Sequence, residues 1–292
     1  MTTSARERAA RLSCWSGPVD PKPVGGGITN ANFRVADRGD RFFVRIGEDI
    51  PVHGIMRFNE AAASRAAHAA GLSPAVVHQE PGALVIRFVE GRTLEAEDVR
   101  KPGTLEQILQ LVTRCHRDVP RYLRGPTLAF WAFHVIRDYV HTLREGATRL
   151  SSELPRFAAA AETLERTVGR VEFVFGHNDL LAGNFIDDGE RLWLIDWDYA
   201  GWGSPLFDLG GLASNNELSP EQEDWLLDRY FEGSKDPPPR RAYLAMKCAS
   251  LLRESLWSMV SELHSALEFD YVAYTSENLI RFERAFEDFE RQ

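Results

Sequence analysis

Between the apolar runs VEFVF, at 171–175, and LWLI, at 192–195, the chain carries HNDLLAGNFIDD, and DWD follows the start of the second run almost at once. Short buried strands have little use for so much acid, so the fold has to gather His177, Asp179, Asn184, Asp196 and Asp198 in the loops between them. Singly, each of these residues is an ordinary turn cap or strand-end acid. Together, Asp179 and Asn184 in a D-x4-N arrangement with Asp196 after the next strand match a phosphoryl-transfer layout. In it, one Asp accepts the proton of the attacking hydroxyl, while an Asn and a second Asp hold magnesium. Hard oxygen donors suit that cation, and one carboxylate must stay free to orient the alcohol. His177 and Asp179 also read as an H-x-D metal pair of a hydrolase, but no second histidine cluster completes such a site, which leaves His177 to brace the loop.

Around this stretch the pattern divides in two. Residues 23–46 read as two strands joined by ADRGD behind a glycine-rich turn, 57–70 as a helix stopped by Gly71, and 82–91 as a strand closed by glycine. Beyond residue 104 helical periodicity dominates, over 104–118, 128–150, 156–169, 219–232, 239–264 and 269–290, with short strands near 173–175, 184–187 and 192–195. The expectation is an α+β, bilobal architecture: a small β-rich lobe over 1–90 and a large, mostly helical lobe over 91–292. At 292 residues, 44% hydrophobic and 26% charged, the composition is that of an ordinary globular protein. Cys14, Cys115 and Cys248 are odd in number and far apart, which argues against a disulfide framework or a zinc site. No export signal or 18-residue apolar window is present, so a cytoplasmic location without membrane insertion is expected. The net charge of −9 disfavours nucleic acid and suits a cationic small molecule.

The segments GGGITNANFRV, FFVRI, LVIRFVEGRTL, FGHNDLLAGNFI, LWLIDWDYAG, PLFDLGGLASNNELS and LWSMVSELHSALEFDYVAYTSENLIRFERAF resemble the choline/ethanolamine kinase branch of the aminoglycoside-phosphotransferase-like group. The resemblance spans nearly the whole chain and implies the protein-kinase-like fold, with ATP and Mg2+ as cofactors. It implies that Gly26, Gly27, Thr29, Asn30 and Asn32 approach nucleotide phosphates, where glycine lets backbone amides come close. Arg45 stands where protein kinases carry a strand lysine, and Glu60 on the following helix is its partner; guanidinium can hold phosphate and carboxylate together. By the same match the Arg87 carbonyl and Val89 amide face adenine, and Asp208 braces the catalytic loop.

The acceptor is read less directly. A quaternary ammonium has no proton to donate and is held over aromatic faces with a carboxylate nearby. Tyr199, Trp202 and Trp257 supply rings, Asp198 and Glu254 charge. Animal choline kinases carry two tryptophans three residues apart in this helix, whereas this chain has Glu254 in place of the first. The expectation is therefore a kinase for choline or a related amino alcohol such as ethanolamine. An aminoglycoside or thiamine kinase, and a non-catalytic nucleotide-binding module, are the alternatives.

Overall fold

The computed structural model describes residues 4–25, 30–265, 267 and 269–291. In the small lobe, the helix α1 (Ala5–Ala10) starts at Ser4, whose hydroxyl accepts from the Glu7 amide while Glu7 reaches back to the Ser4 N–H. Five antiparallel strands follow: β1 (Lys22–Pro23), β2 (Ala31–Asp37), β3 (Asp40–Ile46), β4 (Val76–Glu80) and β5 (Ala83–Arg87), ordered β1-β2-β3-β5-β4. The β2–β3 hairpin turns through Arg38 and Gly39, both at positive φ (52° and 86°), a turn whose twist matches that of the flanking strands. Alternation along these strands buries Phe33, Val35, Phe42, Val44 and Ile46 against Ala9, Leu12 and Val85. β4, absent from the sequence reading, is a half-buried strand at the end of the sheet.

The helix α2 (Arg57–Ala69) is alanine-rich and ends before Gly71, where φ is +74°. Although it lies within residues 1–90, it packs Ala63, Ala66 and Ala67 into the core of the large lobe. Two buried contacts tie it there: Asn59 Nδ2 donates to the Ala200 carbonyl (2.8 Å), and Asn59 Oδ1 accepts from the Leu128 amide (2.9 Å).

The large lobe contains β6 (Arg92–Thr93), α3 (Ala96–Val99), α4 (Pro102–Asp118), α5 (Ala132–Glu145), α6 (Leu154–Val168), β7 (Val174–Gly176), β8 (Phe185–Asp187), β9 (Leu192–Leu194), β10 (Gly201–Gly203), α7 (Pro205–Asn215), α8 (Pro220–Tyr230), α9 (Arg240–His264) and α10 (Tyr271–Arg291). β6, β8 and β9 form one small antiparallel sheet, and β7 pairs with β10. α9 is buried on most of its surface and packs against α5, α6, α7 and α10, so its side chains reach the loops after β7 and β9. The helix expected over 128–150 is shorter than its apolar pattern: residues 128–130 run extended beside Trp202, with the Phe130 amide bonded to the Trp202 carbonyl at 2.8 Å, and the helix stops at Gly146.

Candidate active site

The loop after β7 is set by two backbone features. Asn178 takes positive φ (64°), and its Nδ2 bonds the carbonyls of Gly176 (3.3 Å) and Tyr199 (3.0 Å). Asp208, at the start of α7, accepts from the amides of His177 (2.8 Å) and Asn178 (2.6 Å) and from His116 Nε2 (2.8 Å). Burial works against that charge, but the His116 hydrogen bond and the loop amides outweigh it and hold the Asp208 carboxyl below its ordinary range. His177 is fully buried, rests on Trp197 and uses Nε2 on the Ile195 carbonyl (2.9 Å), a loop brace.

This frame presents Asp179. A single turn of 3-10 helix, Ala182–Asn184, brings Asn184 back to it, with Nδ2 donating to the Asp179 backbone oxygen (2.8 Å) and carboxylate (3.2 Å). Both bonds use the amide nitrogen, so neither occupies the amide oxygen. Burial first, then Asp196 and Glu254, push the Asp179 carboxyl up to about 8 against the opposing pull of Arg253. Asp196 follows β9 with φ at 67°, a backbone conformation that stores strain in a non-glycine residue. Its side chain is 39% exposed, yet Oδ1 is enclosed and accepts no hydrogen bond. Enclosure and the neighbouring Asp198 raise this carboxyl. An enclosed carboxylate oxygen without a donor, together with an amide oxygen not used on Asp179, supplies hard donors of the kind a divalent cation takes. No group of three or more His, Cys, Asp or Glu among the described residues forms a complete cage. Magnesium suits such a pair because it takes its remaining ligands from water and phosphate.

Arg45 on β3 pairs with Glu60 on α2 and with Asp198, and lies 3.7 Å from Asp196 Oδ1. The sequence reading of Glu60 as its partner agrees with this geometry. Asp198 departs from its expected place on the acceptor wall: it is 5% exposed and held by Arg45 and, at 2.9 Å, by Arg57. Burial opposes its charge, and the two guanidinium groups outweigh that and lower its carboxyl. Arg57 also bonds Glu60 (2.8 Å) and Asn30 Oδ1 (2.6 Å). Asn30 thereby joins the charge cluster, and Asn32 sits opposite Arg45 in the β2–β3 register. Gly26, Gly27 and Thr29 lie outside the described residues. At the lobe junction β5 ends at Arg87, whose side chain pairs with Asp40 (2.8 Å), and the Phe88 amide donates to the Arg41 carbonyl. Among the described residues the Val89 amide has no backbone partner.

α9 carries Arg253, Glu254 and Trp257 toward the loops after β7 and β9. Glu254 accepts from Tyr274 Oη (2.7 Å) and Arg253 Nη1 (2.8 Å). Trp257 donates from Nε1 to Tyr199 Oη (2.8 Å), is 4% exposed, and lies against His53 with centroids 5.0 Å apart. Trp202 does not join this group: on β10 it packs edge-on to Phe175 and donates to Thr127 Oγ1 (3.0 Å). Proximity in sequence to Asp196 was misleading, because pairing with β7 fixes which face of β10 each residue takes.

The sequence model of the family described as "Phosphotransferase enzyme family" matches residues 20–244. The chain belongs to this phosphotransferase family. A probable ethanolamine kinase of Arabidopsis thaliana is 28% identical to it, over 86% of this chain and 75% of the relative. Protein LicA of Haemophilus influenzae is 26% identical over 84% of this chain and 75% of its own. The crystal structure of a choline/ethanolamine kinase family protein from Mesorhizobium loti superposes with a TM-score of 0.78 at 28% identity, covering 98% of this chain and 96% of that one. The chain is thus a phosphotransferase of choline/ethanolamine-kinase-like sequence, with the bilobal protein-kinase-like fold.

Several residues of this phosphotransferase's site gave no sequence signal. Arg57, Asn59 and Arg253 are unremarkable on amphipathic helices, and only long-range packing reveals their partners. Tyr274 lies one helical turn past Asp270, in a segment that carries the family resemblance but gives this tyrosine no individual signal. Asn178, between His177 and Asp179, lies within the motif, but its role is backbone geometry, which residue type alone does not signal.

Proposed function

We propose that this phosphotransferase is an ATP- and Mg2+-dependent kinase that transfers the γ-phosphoryl group to the hydroxyl of choline or a related amino alcohol such as ethanolamine. The observation that carries the reading is the convergence of Asp179, Asn184 and Asp196, with the Arg45–Glu60–Asp198 cluster beside them and Glu254 lining the same hollow as Asp179. In this reading Asp179 orients the acceptor hydroxyl and takes its proton, Arg45 and Asn30 position phosphate oxygens, and residues 87–89 meet adenine through the backbone. Asn184 and Asp196 would hold magnesium, which when bound neutralises charge on the phosphates. Without ligands the Asp179 carboxyl holds its proton to about 8, and a cationic acceptor entering beside Glu254 favours the ionised base. Substrate entry therefore arms the group that activates it. The relatives' names support the amino-alcohol class over an aminoglycoside.

The direct test is magnesium-dependent ADP release from ATP, run in parallel with choline, ethanolamine, thiamine and kanamycin. Selective stimulation by choline or ethanolamine is expected. Stimulation by thiamine or kanamycin alone would move the substrate class, and nucleotide binding with no turnover on any of the four would favour a binding module.

A further inference from the structure

The hollow beside Asp179 is lined by Phe207, Asn215, Ser250, Arg253 and Glu254, so polar groups outnumber rings on its walls. Tyr199 and Trp257, two of the rings expected to hold the acceptor, are engaged. The Arg253 guanidinium sits 4.2 Å from the centroid of Tyr199 and 5.8 Å from that of Phe130. It is 4% exposed, donates Nη1 to Glu254, and has no hydrogen-bond partner at Nε or Nη2. Of the rings expected to hold the acceptor, Tyr199 thus already carries a cation, one supplied by the protein. Trp257 offers no open alternative, since its indole N–H is used on Tyr199 and its ring is packed against His53.

Glu254 remains competent. Each of its oxygens accepts one hydrogen bond, from Tyr274 and from Arg253, and each retains a lone pair. A primary ammonium can donate to those lone pairs. A quaternary ammonium has no N–H, depends on aromatic faces for its attraction, and would meet a like charge on the Tyr199 ring.

We propose that Arg253 is the specificity-determining residue of the acceptor site, a resident cation that keeps quaternary ammonium groups off Tyr199 and turns Glu254 toward acceptors with ammonium protons. This rests on the amino-alcohol kinase reading above. Its test is a methylation series: kcat and KM for ethanolamine, N-methylethanolamine, N,N-dimethylethanolamine and choline with the full chain and Mg-ATP. The wild-type protein is expected to lose kcat/KM stepwise along the series, by about tenfold or more in total and chiefly through KM. Arg253→Met, neutral and of similar length, should contract or invert that preference by lowering KM for choline, whereas Arg253→Lys, which keeps the charge, should preserve its direction. A flat wild-type series overturns the proposal, and so does an equal loss on all four acceptors in Arg253→Met. If that variant does not fold, the wild-type series and Arg253→Lys decide, and loss of the preference in a folded, active Arg253→Lys counts against it. Activity with a flat series removes only the role of Arg253; no turnover with any of the four removes the amino-alcohol reading with it.

Discussion

Asn184 donates from one amide nitrogen to both the backbone oxygen and the carboxylate of Asp179, so the residue expected to hold metal also holds the residue expected to act as base. Asn184→Asp keeps an oxygen for the cation but replaces a donor 3.2 Å from the Asp179 carboxylate with a like charge. It should retain nucleotide binding in magnesium while kcat falls about 100-fold, the scale of a displaced general base. Rapid-quench kinetics alongside nucleotide titration check this; an unchanged kcat would separate the two residues.

Asp179→Asn should abolish turnover and at the same time stabilise the fold at high pH. The wild-type carboxyl is raised by burial, so the folded state binds a proton that the unfolded state has released. That stabilisation is complete below the ordinary carboxylate pKa near 4 and is lost as pH rises through about 8. Asparagine removes the dependence. Melting curves of the two proteins should nearly coincide at pH 4 and separate in favour of Asn at pH 9; a constant gap would mean that the carboxyl is not raised.

Asp196→Ala should remove the magnesium dependence of nucleotide affinity, because it takes away the enclosed oxygen that lacks a donor. Asp179→Ala should leave that dependence nearly intact and lose turnover. Isothermal titration of nucleotide with and without magnesium distinguishes the two. If Asp196→Ala still binds better in magnesium, the cation is held elsewhere.

That these three positions come together was legible in the sequence because they lie in two loops fewer than twenty residues apart. The Arg45–Glu60 pair was legible for a related reason: one lies on a strand between apolar Val44 and Ile46, and the other on the next helix. The packing of the residues expected on the acceptor side was not. Asp198 and Trp202 follow Asp196 directly, but strand alternation and the turn between them send Asp198 to Arg45 and Trp202 to Phe175. Arg253 and Glu254 are consecutive on one helix; that one caps Tyr199 while the other bonds Tyr274 depends on helix packing, which periodicity does not encode. The extended run at 128–130 has the same origin, since its partner Trp202 is distant in sequence.

Asp208→Ala should harm folding before chemistry. The carboxylate satisfies the amides of His177 and Asn178 together with His116, which in turn reaches Tyr230 Oη at 2.7 Å, all within the interior. Each buried donor left unpaired costs about 1–3 kcal/mol, so a loss of about 3 kcal/mol or more is expected in urea denaturation at pH 7. The sign with pH is opposite to that of Asp179. A carboxyl held below its ordinary pKa contributes stability that is present above the unfolded value and is lost as pH falls through the lower folded value. The deficit of Asp208→Ala should therefore be full at pH 7 and narrow in acid. Asp208→Asn, which can accept from one loop amide, should recover part of the stability and, with it, part of kcat. A full loss of kcat in an Asp208→Asn protein as stable as wild type would instead give Asp208 a direct part in the reaction.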